Sequence, residues 1–160
     1  MATWIEPVFD RTQADVEFAI QKISEWVIAD INGSVSVYDL KGCLGVHDIN
    51  RIEGNISFLA EQMKKYYYSP SVSTKTWARS GMPTENDIKR IVGNIKELFN
   101  SFYIPQDDAT LPDNLIHYES VNTVEKKLYL IKEMLDWMVN SFKQSGTFYS
   151  GSTTFLPMRR

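Results

Sequence analysis

The sequence predicts an all-α fold, with four main amphipathic helices in a bundle, on three observations. Apolar residues recur at three- and four-residue spacing in four separate stretches, each wide enough to face a core. Breaker-rich connections separate those stretches, and hydroxyl–carboxylate pairs open two of them. The chain has 160 residues, 43% hydrophobic and 23% charged, which is enough apolar material for one real core.

The first stretch carries Val16, Ala19, Ile20, Ile23, Trp26 and Val27 on one helical face. Thr12 and Asp15 precede it in the spacing of a capping box, which places a carboxylate at the positive end of the helix dipole. Residues 32–45 form a connection in which Val35, Ser36, Val37 and Tyr38 alternate, as a short strand or a packed loop would. The second stretch sets Ile49, Ile52, Ile56, Leu59, Ala60 and Met63 in line. Residues 69–83 follow as a second connection, and Pro83, Thr84 and Asp87 announce the third helix. Its stripe is Ile88, Ile91, Val92, Ile95, Leu98, Phe99 and Phe102. After a connection at 104–114 with Pro105 and Pro112, the last stripe runs through Val121, Val124, Leu128, Ile131, Leu135, Met138 and Phe142. Asn122 and Glu125 read as another start signal, and Trp26 and Trp137 read as core. Residues 145–160 lose the period and mix Ser, Thr and Gly with Phe148, Tyr149 and Phe155. They read as an extended C-terminal arm or hairpin that pairs with another chain, or as a plain tail. The division is therefore a helical domain at 1–144 and an arm at 145–160.

Residues 48–56 and 87–95 share Asp, Ile, Arg, Ile, Gly, Asn and Ile in register, and Leu59 and Leu98 extend the match. Two duplicated helix pairs, at about 1–68 and 74–144, would explain this. Four helices built on one amphipathic template would explain it too. Asp48 with Arg51 and Asp87 with Arg90 form i,i+3 pairs, worth a few tenths of a kcal/mol on an exposed face. Gly54 and Gly93 lie inside helices, where each costs about 0.5–1 kcal/mol relative to Ala. The expected compensation is a close crossing of the second and third helices at these glycines, with Asn55 and Asn94 capping a nearby loop.

Chemistry is sparse. Seventeen Lys and Arg against twenty Asp and Glu give a net charge of −3, which attracts neither nucleic acid nor an anionic membrane. The single Cys43 permits no internal disulfide and no cysteine-built zinc site, and it reads as a small hydrophobe. No run is apolar enough to span a bilayer, and Glu6, Asp10 and Arg11 occupy positions where a leader needs apolar residues. His47 and His117 lack a second histidine at helical spacing, so both read as ordinary surface or half-buried residues. Gly42 to Gly45 lacks the Lys-Ser/Thr of a phosphate loop, and the Asp107, Asp108, Asp113 and Asn114 group lacks the ligand alternation of a calcium loop. The sequence predicts no catalytic residue, no metal and no cofactor, and so no enzyme. Aromatic residues in connections are the remaining candidates for contact with other proteins: Tyr66, Tyr67, Tyr68, Trp77, Phe148, Tyr149 and Phe155.

Three segments then suggest a family. Residues 10–16 (DRTQADV), 40–44 (LKGCL) and 48–56 (DINRIEGNI) resemble, in that order, a recurring set in phage and prophage minor structural proteins of the tail or baseplate. In those proteins a segment similar to Lys75, Thr76 and Trp77 recurs with one residue between Thr and Trp, so this chain departs from the spacing there. The likeness extends over about residues 4–152, although no single motif is diagnostic. It implies a virion structural part made in the host cytoplasm, docking on other virion tail proteins as a homo-oligomer in a symmetric assembly. The residues alone equally suit a helical adaptor or regulator outside a virion, and a small hydrolase or ligand-binding protein is a third reading.

Overall fold

The computed structural model describes residues 2–30, 40–78, 81, 83–102 and 111–144. It contains four helices: α1 (Gln13–Asp30), α2 (Val46–Lys65), α3 (Glu85–Ser101) and α4 (Tyr118–Gln144). There is no strand among the described residues. The fold is an all-α bundle in which α2, α3 and α4 pack pairwise around one core.

The register of that core follows from sequence spacing. Ile49, Ile52, Ile56, Leu59 and Met63 on α2 step by three and four, as do Ile88, Ile91, Ile95, Leu98 and Phe102 at α3 and Val121, Val124, Leu128, Ile131 and Leu135 on α4. All of these are buried except the half-buried Ile88. A 3–4 alternation rich in isoleucine is the pattern that favours three-stranded coiled-coil packing, and here one chain supplies all three strands.

The three helices run parallel. Arg51 of α2 reaches Glu125 near the start of α4, and Arg90 near the start of α3 reaches Glu53 of α2. At the opposite end Tyr68, just past α2, meets Phe102 edge-on at 5.1 Å and directs its hydroxyl to Met138 of α4. Parallel neighbours need long crossovers. A 20-residue α2 is about 30 Å long, a distance that about ten extended residues retrace. The segments ahead of α3 and α4 supply that length, and residues 71–77 return along the α2/α3 groove. The segment ahead of α1, residues 2–12, lies in the α2/α4 groove, tied to Glu61 and Asn55 of α2 and to Asn122 and Glu125 of α4. Both halves of the chain therefore build one core.

Several expectations change. None of the described side chains of α1 joins the shared core: Ala19 is buried, but Ile20 and Ile23 are exposed. A Cβ at Gly54 or Gly93 would meet nothing within 4 Å, so these glycines mark no helix crossing, and α2 and α3 pack through other faces. The glycine that a close approach requires is Gly42, where a Cβ would fall 2.0 Å from the Asp15 carbonyl oxygen. Trp137 is 72% exposed rather than core, because it lies off the Leu135–Met138 stripe by which α4 faces the core. The alternating residues 35–38 and the side chain of Trp26 lie outside the described residues.

Candidate functional site

Two grooves hold extended chain by its backbone. In the α2/α3 groove, Asn94 accepts from the Ser73 N–H and donates to the Ser73 carbonyl, at 3.1 and 2.7 Å. Asn50 does the same for Trp77, at 2.8 and 3.0 Å. In the α2/α4 groove, Asn55 clamps Ile5 at 3.0 and 2.7 Å, and Asn122 clamps Arg11 at 3.2 and 2.8 Å. A primary amide has one acceptor and two donors, so it satisfies both backbone groups of an extended residue as a neighbouring strand would.

Each groove has a buried carboxylate beside its clamps. Glu53, 2% exposed, accepts from the Trp77 indole N–H and pairs with Arg90. Glu125, 1% exposed, accepts from the Val8 N–H and pairs with Arg11 at 3.0 Å and Arg51 at 2.7 Å. Asp48 completes this second network by accepting from both arginines. The residues follow one template. Asn-x-x-Glu occurs at 50 and 53 on α2 and at 122 and 125 on α4, while Arg-x-x-x-Asn occurs at 51 and 55 on α2 and at 90 and 94 on α3. At the corresponding places α3 has Lys89 and Val92 and α4 has Thr123 and Lys127, so the α3/α4 groove lacks the pattern.

The Asp48–Arg51 and Asp87–Arg90 pairs thus differ from the exposed pairs expected. Arg51 and Asp48 are each under a fifth exposed and share a four-membered network, and Arg90 bonds chiefly to Glu53. Burial lowers the Arg51 pKa, but Glu125 and Asp48 outweigh it and the net shift is upward. Glu53 similarly raises Arg90. Asn122 and Glu125 belong to these grooves and not to a helix start, since α4 begins at Tyr118.

The aromatic candidates separate into two groups. Trp77 is 7% exposed, belongs to the core and carries the Lys75 ammonium 3.7 Å from its ring centroid, so it is not a contact surface. Tyr66 and Tyr68 are half-buried against the core. Tyr67 is 97% exposed. Its φ of 67° is the only positive value at a described non-glycine residue, at the position after α2 where glycine is favoured. The Tyr67 N–H donates to the Lys64 carbonyl and the Tyr68 N–H to that of Met63, which closes the helix end. Trp137 and Phe142 are exposed on the C-terminal part of α4. Phe148, Tyr149, Phe155 and the whole 145–160 arm lie outside the described residues.

Two further concave places lie among the described residues. A cleft of about 200 Å³ lies where α1 and α4 begin, lined by Arg11, Val16, Gly42, Leu44, His117 and Glu119 among others. His117 is exposed there, and Glu119 takes a hydrogen bond from the Tyr118 hydroxyl, which raises the Tyr118 pKa. The carboxylates nearest Arg11 are already bound to arginines. A shallower groove of about 420 Å³ runs over Gly54 and Ser57 between Ala2 and Thr74. His47 is exposed and Cys43 is half-buried, its thiol pKa pushed up by burial and by Asp48. Among the described residues no group of three or more His, Cys, Asp or Glu side chains is placed to hold a metal, and no described helix is long and apolar enough to cross a membrane. Asn55 and Asn94 were expected to cap a nearby loop, and each does hold the backbone of an extended segment, though not at a helix crossing. Asn50, Glu53, Asn122 and Glu125 escaped the sequence reading in this role because each is one polar residue on a helix. No family model, curated protein or solved structure matches this chain.

Proposed function

We propose that this chain is a structural protein of a phage virion, in the tail or baseplate region, that works by docking on other proteins. The observation that supports this best is Tyr67. A non-glycine residue in the left-handed region costs about 1–2 kcal/mol, and this one presents a phenol ring almost wholly to solvent. An unfavourable backbone that displays an aromatic side chain is reasonable where that side chain meets a neighbour. Trp137, on the outward face of α4, adds a second exposed aromatic residue of the kind that anchors interfaces. The resemblance of residues 10–16, 40–44 and 48–56 to phage minor structural proteins supplies the virion context.

Mass spectrometry of purified particles tests the reading. The expected result is this chain at a fixed ratio to the tail ring proteins. Its absence from particles that contain the other tail proteins would favour a helical adaptor outside a virion. Deleting 145–160 is expected to leave the core folded and to abolish incorporation, and normal incorporation would refute the arm's role.

A further inference from the structure

We infer that the α2/α4 groove accepts residues 2–12 from a second copy of this chain as well as from its own, so that copies join by exchanging this arm. What the groove recognises is already on display in it. Asn55 and Asn122 each take both backbone groups of one arm residue, and Glu61 and Glu125 accept the N–H groups of Ala2 and Val8. Arg11 is the one charged arm side chain that the groove buries, between Asp48 and Glu125. An identical arm from another molecule satisfies every one of these groups equally well.

Two features limit what leaving the groove exposes, while the Arg11 pairs and the Trp4–Phe58 and Phe9–Tyr129 ring contacts that are broken are remade with the other copy. Residues 2–12 contribute no side chain to the buried apolar core, with Trp4 packing only at its edge, whereas the segment in the other clamp inserts Trp77. The arm also leads into α1, whose described side chains stay out of that core and which exposes Phe18, Ile20 and Ile23 by 54, 62 and 42%. Arm and α1 connect to the rest of the chain through residues 31–39, nine residues that span at most about 30 Å. In the exchanged pair each carboxylate site, Asp48 and Glu125, is completed by Arg11 of the other copy. The same contacts form in both arrangements, so concentration decides between them.

The test uses the full chain and a fluorescent peptide with the sequence of residues 2–12. The peptide is expected to bind the native chain saturably. It should bind an Arg11→Ala chain about tenfold more tightly, because that chain's own arm competes less well for the groove. A peptide carrying Arg11→Ala is expected to bind each chain about tenfold more weakly than the unaltered peptide binds that chain. Ile5→Pro, which removes the N–H that Asn55 accepts and leaves the charges in place, is the second variant should Arg11→Ala lose its helical circular dichroism. Light scattering of the native chain should show a dimer that grows with concentration and is weakened by either substitution. No peptide binding to any folded chain would overturn the inference. So would a dimer indifferent to both variants, which would join through α1 or through the Tyr67 and Trp137 end instead. The aromatic docking surface is read from different residues, so either reading can fail without the other.

Discussion

Gly42 and Gly93 should respond to alanine in opposite directions. At Gly42 the new methyl group would collide with the Asp15 carbonyl, which is backbone and cannot swing aside. Gly42→Ala is expected to lower stability by about 1–3 kcal/mol in chemical denaturation, as overpacking does. At Gly93 the space is open and the residue is in a helix interior, so Gly93→Ala should raise stability by about 0.5–1 kcal/mol. If Gly93 instead met another backbone, alanine there would destabilise. At Glu125 four N–H donors from Val8, Arg11 and Arg51 converge on a carboxylate buried to 1% exposure. Glu125→Gln leaves Arg11 and Arg51 short of a counter-charge and should cost about 3–5 kcal/mol. A loss below 1 kcal/mol would mean that the network contributes little beyond what water would.

At the scale of the elements, α1 and α3 begin in the same way. Thr12 and Asp15, like Thr84 and Asp87, exchange hydroxyl, carboxylate and backbone N–H hydrogen bonds. The Thr12 contacts hold Asp15 below the usual carboxylate range, and the Lys75 ammonium together with Thr84 pulls Asp87 further down. Each carboxylate has a lower pKa in the folded chain than in the unfolded one, where it is near 3.9. Their contribution is therefore complete above that value and is lost as pH falls through the depressed folded values. Tm should decline from about pH 4 downward, and Asp87→Asn should flatten the decline. An unchanged acid limb in that variant would remove Asp87 from the account.

These caps were legible in the sequence, as were the core stripes of α2, α3 and α4, because both depend on local spacing. The stripe of α1 was legible as a helix but not as an exposed one, since amphipathic spacing does not say whether a partner surface exists. Parallel packing had a signal too, in the long connections at 69–83 and 104–114, which short antiparallel loops would not need. The clamps had a signal only at Asn55 and Asn94, which the repeat picks out, and none at Asn50 or Asn122. An asparagine on a helix acquires its role only when a distant segment lies beside it, such as Ile5 beside Asn55. Helical glycines carried the opposite error: Gly54 suggested a crossing from cost alone, and the structure leaves its surroundings open.

As a whole molecule, the protein has one parallel three-helix core, with backbone held in two of its grooves and aromatic residues displayed beyond it. Rigidity and display are separate. The Asn, Arg and Glu sets hold the core and its extended segments together, while Tyr67 and Trp137 add nothing to the core. The most direct measurement of the docking account is Tyr67→Gly, read for thermal stability and for incorporation into particles on the same preparation. Glycine relieves the positive φ, so Tm is expected to rise while incorporation falls. A variant that is more stable and incorporates normally would contradict the claim that this tyrosine is displayed in order to dock.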